Sequence, residues 1–168
     1  MTLSPASILV YLAVSLSAVS SLAACPADDP VASAKSFYSD HRNFYTEEPS
    51  KIKKLTSPRL LAALEQEFKC SNGDICAIEA DPWIDAQDGG IGTPIDFSLV
   101  SNSGLLAKVQ MTYTFVLSKT QRRKQHVTLL FQRNSPSDCW LIGDLVGPSG
   151  SSLVTTLEKW HKEFGSGL

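Results

Sequence analysis

The sequence lacks a surplus of either charge. Fifteen Lys and Arg stand against 17 Asp and Glu, a net charge of −2. A nucleic-acid-binding chain normally carries a basic excess, so this balance speaks against that class. No run of like charge is long enough to form an acidic or basic tail. Histidine is scarce. His41, His126 and His161 are scattered, and with Cys70 and Cys76 they match no zinc spacing, so no metal is expected. No Ser or Cys sits in a nucleophile motif. Gly89-Gly90-Ile91-Gly92 precedes no helical pattern, which argues against a phosphate-binding loop, and no cofactor is expected. At 168 residues there is room for one domain, and a hydrophobic content of 43% suits a packed core rather than a disordered chain.

The N-terminal end lacks charge altogether. Residues 8–24 contain no charged side chain, and the first Lys is Lys35. The run is short for a bilayer span, its second half is small and Ser-rich, and no basic flank follows it. The reading is a signal peptide over residues 1–24, a tether over 25–30 and a single domain over 31–168. Leu22-Ala23-Ala24-Cys25 resembles the bacterial lipobox, in which small residues precede a Cys that takes the lipid. That resemblance makes Cys25 a lipidation site and the cell envelope the expected location. Cleavage after Ala23, with Ser21 and Ala23 as the small pair, is the competing reading.

Four cysteines are present, at 25, 70, 76 and 139. An exported chain meets an oxidising compartment, where disulfides form. Cys70 and Cys76 flank a turn-like Asn-Gly-Asp and are the first choice for a pair. The partner of Cys139 stays open, because four cysteines allow three pairings when Cys25 is free.

Along the chain, Val31, Ala34, Phe37, Tyr38, His41, Phe44 and Tyr45 recur at helical spacing and predict one helix ended by Pro49. Ser57-Pro58 starts a second, with Leu60, Leu61, Leu64 and Phe68 on one face. Residues 70–94 read as irregular. From Ile95 the period changes to two. Ile95, Phe97 and Leu99 alternate, and then Ala107, Val109, Met111, Tyr113, Phe115 and Leu117. Residues 119–125 are polar and predict a hairpin loop. Val127, Leu129 and Phe131 alternate next. Residues 139–146 are mostly apolar and predict a central or covered strand. Leu153, Leu157, Trp160 and Phe164 line a last helix, with Glu158 and Lys162 as an i,i+4 pair. The sum is an α+β domain: N-terminal helices on a curved antiparallel four-stranded meander, then a C-terminal helix.

The Phe37/Tyr38 and Tyr45 helix, Asp81-Pro82-Trp83…Ala86-Gln87-Asp88, Val127-Thr128-Leu129 and Trp140-Leu141-Ile142-Gly143-Asp144 carry a resemblance. Over about residues 30–160 the chain resembles the nuclear-transport-factor-2-like (cystatin-like) superfamily. More narrowly, it resembles small exported bacterial proteins and lipoproteins of unknown function. The resemblance implies a cone between helices and sheet, which in enzymes of that superfamily holds an acid/base pair of Asp, His or Tyr. It also implies, from similar exported proteins, immunity to antibacterial toxins.

Three candidate sites follow. The acidic segment holds Asp74, Glu79, Asp81, Asp85 and Asp88; turn capping by carboxylates is the plain reading, and contact with a protein partner through Asp81, Asp85 and Asp88 the sharper one. Trp83 reads as an anchor for that segment. Lys119, Arg122, Arg123 and Lys124 make a basic hairpin tip, read either as solvated edge protection or as a docking point for an acidic partner. Tyr38, His41, Tyr45 and Tyr113 are the candidate pocket residues. Asp40 and His41 point about 100° apart on a helix and cannot both face a cone. The leading expectation is a non-catalytic exported binding protein that neutralises a secreted toxin, with no nucleic acid among its partners and a lipid as its only membrane contact. The alternative is a small-molecule binder or enzyme using the cone.

Overall fold

A computed structural model describes residue 25, residues 29–71 and residues 76–165. The leader expected over residues 1–24 and the carboxylate of Asp74 lie outside the described residues. The order is α1 (Pro30–Asp40), a single 3-10 turn (Pro49–Lys51), α2 (Pro58–Ser71), β1 (Gly90–Asn102), β2 (Leu106–Val116), β3 (Arg122–Gln132), β4 (Leu141–Val146) and α3 (Leu153–Phe164). The four strands form one antiparallel meander in the order β1-β2-β3-β4. The fold is α+β, as the change of period indicates.

The helix starts follow from capping. Asp29 Oδ1 accepts from the N–H groups of Val31 and Ala32 at 2.8 and 2.9 Å, with Pro30 at the first helical position. Ser57 Oγ accepts from Leu60 N–H at 3.2 Å. Ser152 Oγ accepts from Thr155 N–H at 3.0 Å, and Asp144 Oδ1 accepts from Val154 N–H at 3.0 Å. A carboxylate on β4 therefore sits at the positive end of α3 and ties that helix to the sheet.

The first helix is shorter than its periodicity suggests. It ends at Asp40, and Phe44 and Tyr45 lie in the turns that follow. In a continuous helix Phe44 would stand about 10 Å along the axis from Phe37. Here the chain folds back and their ring centroids are 5.2 Å apart. On α2 the buried stripe is Leu60, Ala63, Leu64 and Glu67, whereas Phe68 is exposed. On α3, Leu153, Val154 and Leu157 are buried, Trp160 is half-buried and Phe164 is exposed. Glu158 pairs across to Arg59 on α2 (2.8 and 2.6 Å) rather than with Lys162.

On β2, Ala107, Val109, Met111, Tyr113 and Phe115 are buried against the helices and Lys108 is exposed, the expected phase. The strand stops at Val116, leaving Leu117 exposed. β1 begins five residues before the expected Ile95, because Gly90, Ile91 and Gly92 pair with Val116, Phe115 and Thr114. Pro94 falls where the register shifts between Gly92 and Asp96, a place on an edge strand that tolerates a residue with no N–H. β4 is an edge strand, not a central one. Its outer edge is covered by the segment before α2: Ser57 N–H donates to the Ile142 carbonyl, and Ile142 N–H to the Leu55 carbonyl, both at 2.8 Å. That cover explains its apolar composition.

Two disulfides pin the chain. Cys70–Cys76 closes the short loop after α2, as expected, and Cys25–Cys139 ties the N-terminal segment to the entry of β4. A sulfur in a disulfide cannot also carry a thioether lipid, so the bridge to Cys139 replaces the lipidated Cys25 expected above. Both bridges are compatible with an oxidising compartment outside the cytoplasm.

Candidate functional site

The space between α1 and the sheet is filled by Trp83. Its side chain is wholly buried, meets Tyr38 and Phe44 edge-on at 5.1 and 5.8 Å, and donates from Nε1 to the Arg42 carbonyl at 2.7 Å. Trp83 is the expected anchor. The hydroxyl of buried Tyr113 donates to the Trp83 carbonyl. A phenol has one proton, so the Gln125 amide is oriented with its nitrogen donating to Tyr113 Oη at 3.2 Å. Its oxygen then accepts from Arg123 at 2.9 and 3.1 Å. Burial pushes the Tyr113 hydroxyl far up from its ordinary value. It is a structural donor, held protonated.

The four candidate pocket residues do not line an open cone. Tyr38 packs on Trp83 and Phe97, Tyr45 on Phe44, and Tyr113 is consumed by the bond to Trp83. His41 caps α1 and turns to Glu47, Nδ1 to Oε2 at 3.3 Å. A hollow of only about 20 Å³ lies between α1 and the sheet, among Phe37, Leu55, Phe131 and Trp140.

The acidic segment holds itself in place. Asp81 Oδ1 accepts from Trp83 N–H at 2.8 Å, and Asp81 and Ala86 close the turn between them. Burial raises the Asp81 carboxyl above its usual range, although the Trp83 N–H, Arg42 and Tyr45 pull the other way. Asp85 takes a left-handed backbone conformation (φ 50°) and accepts from Ser149 N–H at 2.7 Å. A Cβ on Gly147 would collide with that carboxylate, which explains the glycine there. Asp81 is thus spent on its own turn, the capping reading; Asp85, although exposed, is tied across the chain to Ser149, and Asp88 is exposed.

The basic tip is divided by strand alternation. Arg122, Arg123 and Lys124 are not loop residues; they open β3 opposite Val116, Phe115 and Thr114. Arg123 points to the helix face, its guanidinium 5.0 Å from the Phe115 ring centroid and bonded to Gln125. Arg122 and Lys124 point to the opposite face.

Periodicity missed one buried ionic group. Glu67 on α2 is 4% exposed and accepts from Ala77 and Ile78 N–H at 3.1 and 2.9 Å, with His161 Nε2 at 3.1 Å. It joins α2, α3 and the chain just past Cys76. Its place in the stripe, seven residues after Leu60 and three after Leu64, was the available signal. Glu67 also reaches an open cleft of about 580 Å³ lined by Tyr45, Phe68, Glu79, Asp81 and Gln87.

Among the described residues no helix is long and apolar enough to cross a membrane, and no cluster of His, Cys, Asp or Glu is arranged to hold a metal. Compared with protein-family models, curated proteins and solved structures, the chain matches none.

Proposed function

We propose that this chain is an exported, disulfide-bonded binding protein of the bacterial periplasm that neutralises a toxin delivered by neighbouring cells. The observation that carries the binding half is the filled interior. Trp83 occupies the space a cone-bound substrate would need, and the polar groups facing it are spent on internal bonds. Recognition is then left to the outer surface. The two disulfides favour a compartment beyond the inner membrane. With the Cys25 sulfur committed, the mature chain starts at Ala24 and carries no lipid. The nuclear-transport-factor-2-like kinship and the toxin as partner rest on the resemblance of the Asp81–Asp88 segment and the Trp140–Asp144 strand.

A competition assay tests this reading. A strain deleted for the gene is grown in contact with its parent, and the tagged protein is used to retain partners from the envelope and from secreted proteins. The deleted strain should be outcompeted, and a secreted protein should be retained. Equal growth together with an empty retention would overturn the proposal. A second reading, small-molecule binding, has one observation in its favour: the 580 Å³ cleft between α2 and the acidic segment.

A further inference from the structure

The register decides which side chains share the face of the sheet turned away from the helices. Four pairing rows cross it: Gly90–Val116–Arg122, Gly92–Thr114–Lys124, Asp96–Thr112–His126 and Ser98–Gln110–Thr128. Residues two apart on a strand are about 7 Å apart on one face. Arg122, Lys124 and His126 therefore stand in a row along β3, all exposed.

Among the described residues no carboxylate pairs with this row. β4 pairs with β3 only from Thr128 onward, so no β4 side chain flanks it. On the other side Gly90 and Gly92 bring no side chain, and a Cβ on Gly90 would meet only open space. Asp96 is the one carboxylate in these rows, two strands from His126. The ion pairs among the described residues are His41–Glu47, Arg59–Glu158 and His161–Glu67, so Arg122 and Lys124 have no acidic partner within 4 Å. The floor beside the row is Thr112, Thr114 and Val116. At the hairpin end a hollow of about 300 Å³, lined by Phe115, Leu117, Gln121, Arg122 and Arg123, runs round the strand ends from one face to the other and so is not a feature of the outer face alone.

We infer that the open sheet face at Arg122, Lys124 and His126 is a docking surface for an acidic protein surface, and that Arg123 is not part of it. The inference rests on the binding-protein reading and names the partner's chemistry. A guanidinium takes a carboxylate in a two-pronged hydrogen bond, and threonine hydroxyls beside it satisfy the second acceptor. The four rows carry no Phe, Tyr or Trp and His126 is their one ring, too little to stack successive bases, and the net charge of −2 repels a long polyanion beyond the patch. Leu117 is the exposed large apolar side chain beside Arg122, and Leu105 and Leu106 lie at the other end of the β2 hairpin, so no cluster of apolar side chains forms a wedge for a lipid surface. The rows cross three strands, and eleven residues of β2 by three strands span about 37 by 14 Å, on the order of 500 Å², the size one side of a small, transient interface buries.

The test is an NMR titration of the ¹⁵N-labelled, oxidised protein with poly-L-glutamate. Parallel titrations use a single-stranded oligonucleotide and phosphatidylglycerol vesicles. Poly-glutamate should shift the amides of Thr112, Thr114, Lys124 and His126. R122E/K124E should weaken it about tenfold or more, with R122Q/K124Q as the milder pair should the reversal not fold, while R123Q should change it less than about twofold. Wild-type affinity in the paired variants would overturn the inference, as would a larger loss in R123Q. Tighter binding of the oligonucleotide or vesicles than of poly-glutamate would overturn the choice of an acidic protein. A native partner retained equally by wild type and R122E/K124E would sink this surface and leave the binding-protein reading standing.

Discussion

The side-chain hydroxyl of Tyr113, in the middle of the sheet, donates to the main-chain carbonyl of Trp83, thirty residues earlier in the acidic segment. That bond holds a loop residue over the sheet, and the indole then closes the interior. Trp83→Ala should cost roughly 3–5 kcal/mol, as expected for losing a fully buried aromatic ring. Tyr113→Phe keeps the ring but strands the Trp83 carbonyl, and should cost about 1–3 kcal/mol. Lys108→Ala, on the opposite face of the same strand, should cost less than about 0.5 kcal/mol. Urea unfolding of the three variants checks the order; equal losses at Lys108 and Tyr113 would contradict the observed face assignment.

Asp81 should reveal itself in pH dependence. Its carboxyl is raised by burial, so the ionised form weighs against the folded state. The penalty is complete above the folded value and vanishes as pH falls below the unfolded one. Asp81→Asn keeps an oxygen for Trp83 N–H and removes the charge. The variant should therefore gain on wild type at pH 7, with the difference closing on acidification. Asp81→Ala also loses the hydrogen bond and should be less stable than Asn at every pH. A pH-independent difference between wild type and D81N in thermal unfolding would contradict this account.

Glu67→Gln should destabilise by about 1–3 kcal/mol, because an amide offers one acceptor where two N–H groups and a His converge. Hydrogen exchange should accelerate first at Ala77 and Ile78, whose N–H groups lose their carboxylate. Unchanged exchange at those two amides would refute the role assigned to Glu67.

The two disulfides should contribute unequally. Cys25–Cys139 joins residues 114 apart and Cys70–Cys76 residues six apart. Loop-closure entropy alone assigns about 4–5 kcal/mol to the first and about 2 kcal/mol to the second. Paired Cys→Ser variants in guanidinium titrations give the comparison. Protein taken from the envelope should also resist thiol alkylation until reduced, and its intact mass should show no lipid. An alkylatable Cys139 with a lipid-bearing Cys25 would reverse the assignment.

Local pattern was enough for the α+β class, the Ser57 helix start, the core face of β2 and the Cys70–Cys76 loop. Each depends on residues close in sequence: a cap reaches two or three positions, and alternation repeats every second one. The rest depended on partners far along the chain. Phe44 leaves the helix because Phe37 and Trp83 offer it a buried site. Gly90–Gly92 and Arg122–Lys124, which read as loop by composition, become strand because β2 presents both edges to them. Glu67 is buried only because Ala77, Ile78 and His161 arrive together. Cys25 finds Cys139 only once β4 is placed. Periodicity tells which face of an element is apolar. What that face meets, and which polar groups are spent on meeting it, is settled by contacts between elements, and these tie the exposed Arg123 to Phe115 and Gln125 on the helix side of the sheet while Arg122 and Lys124 stand on the other.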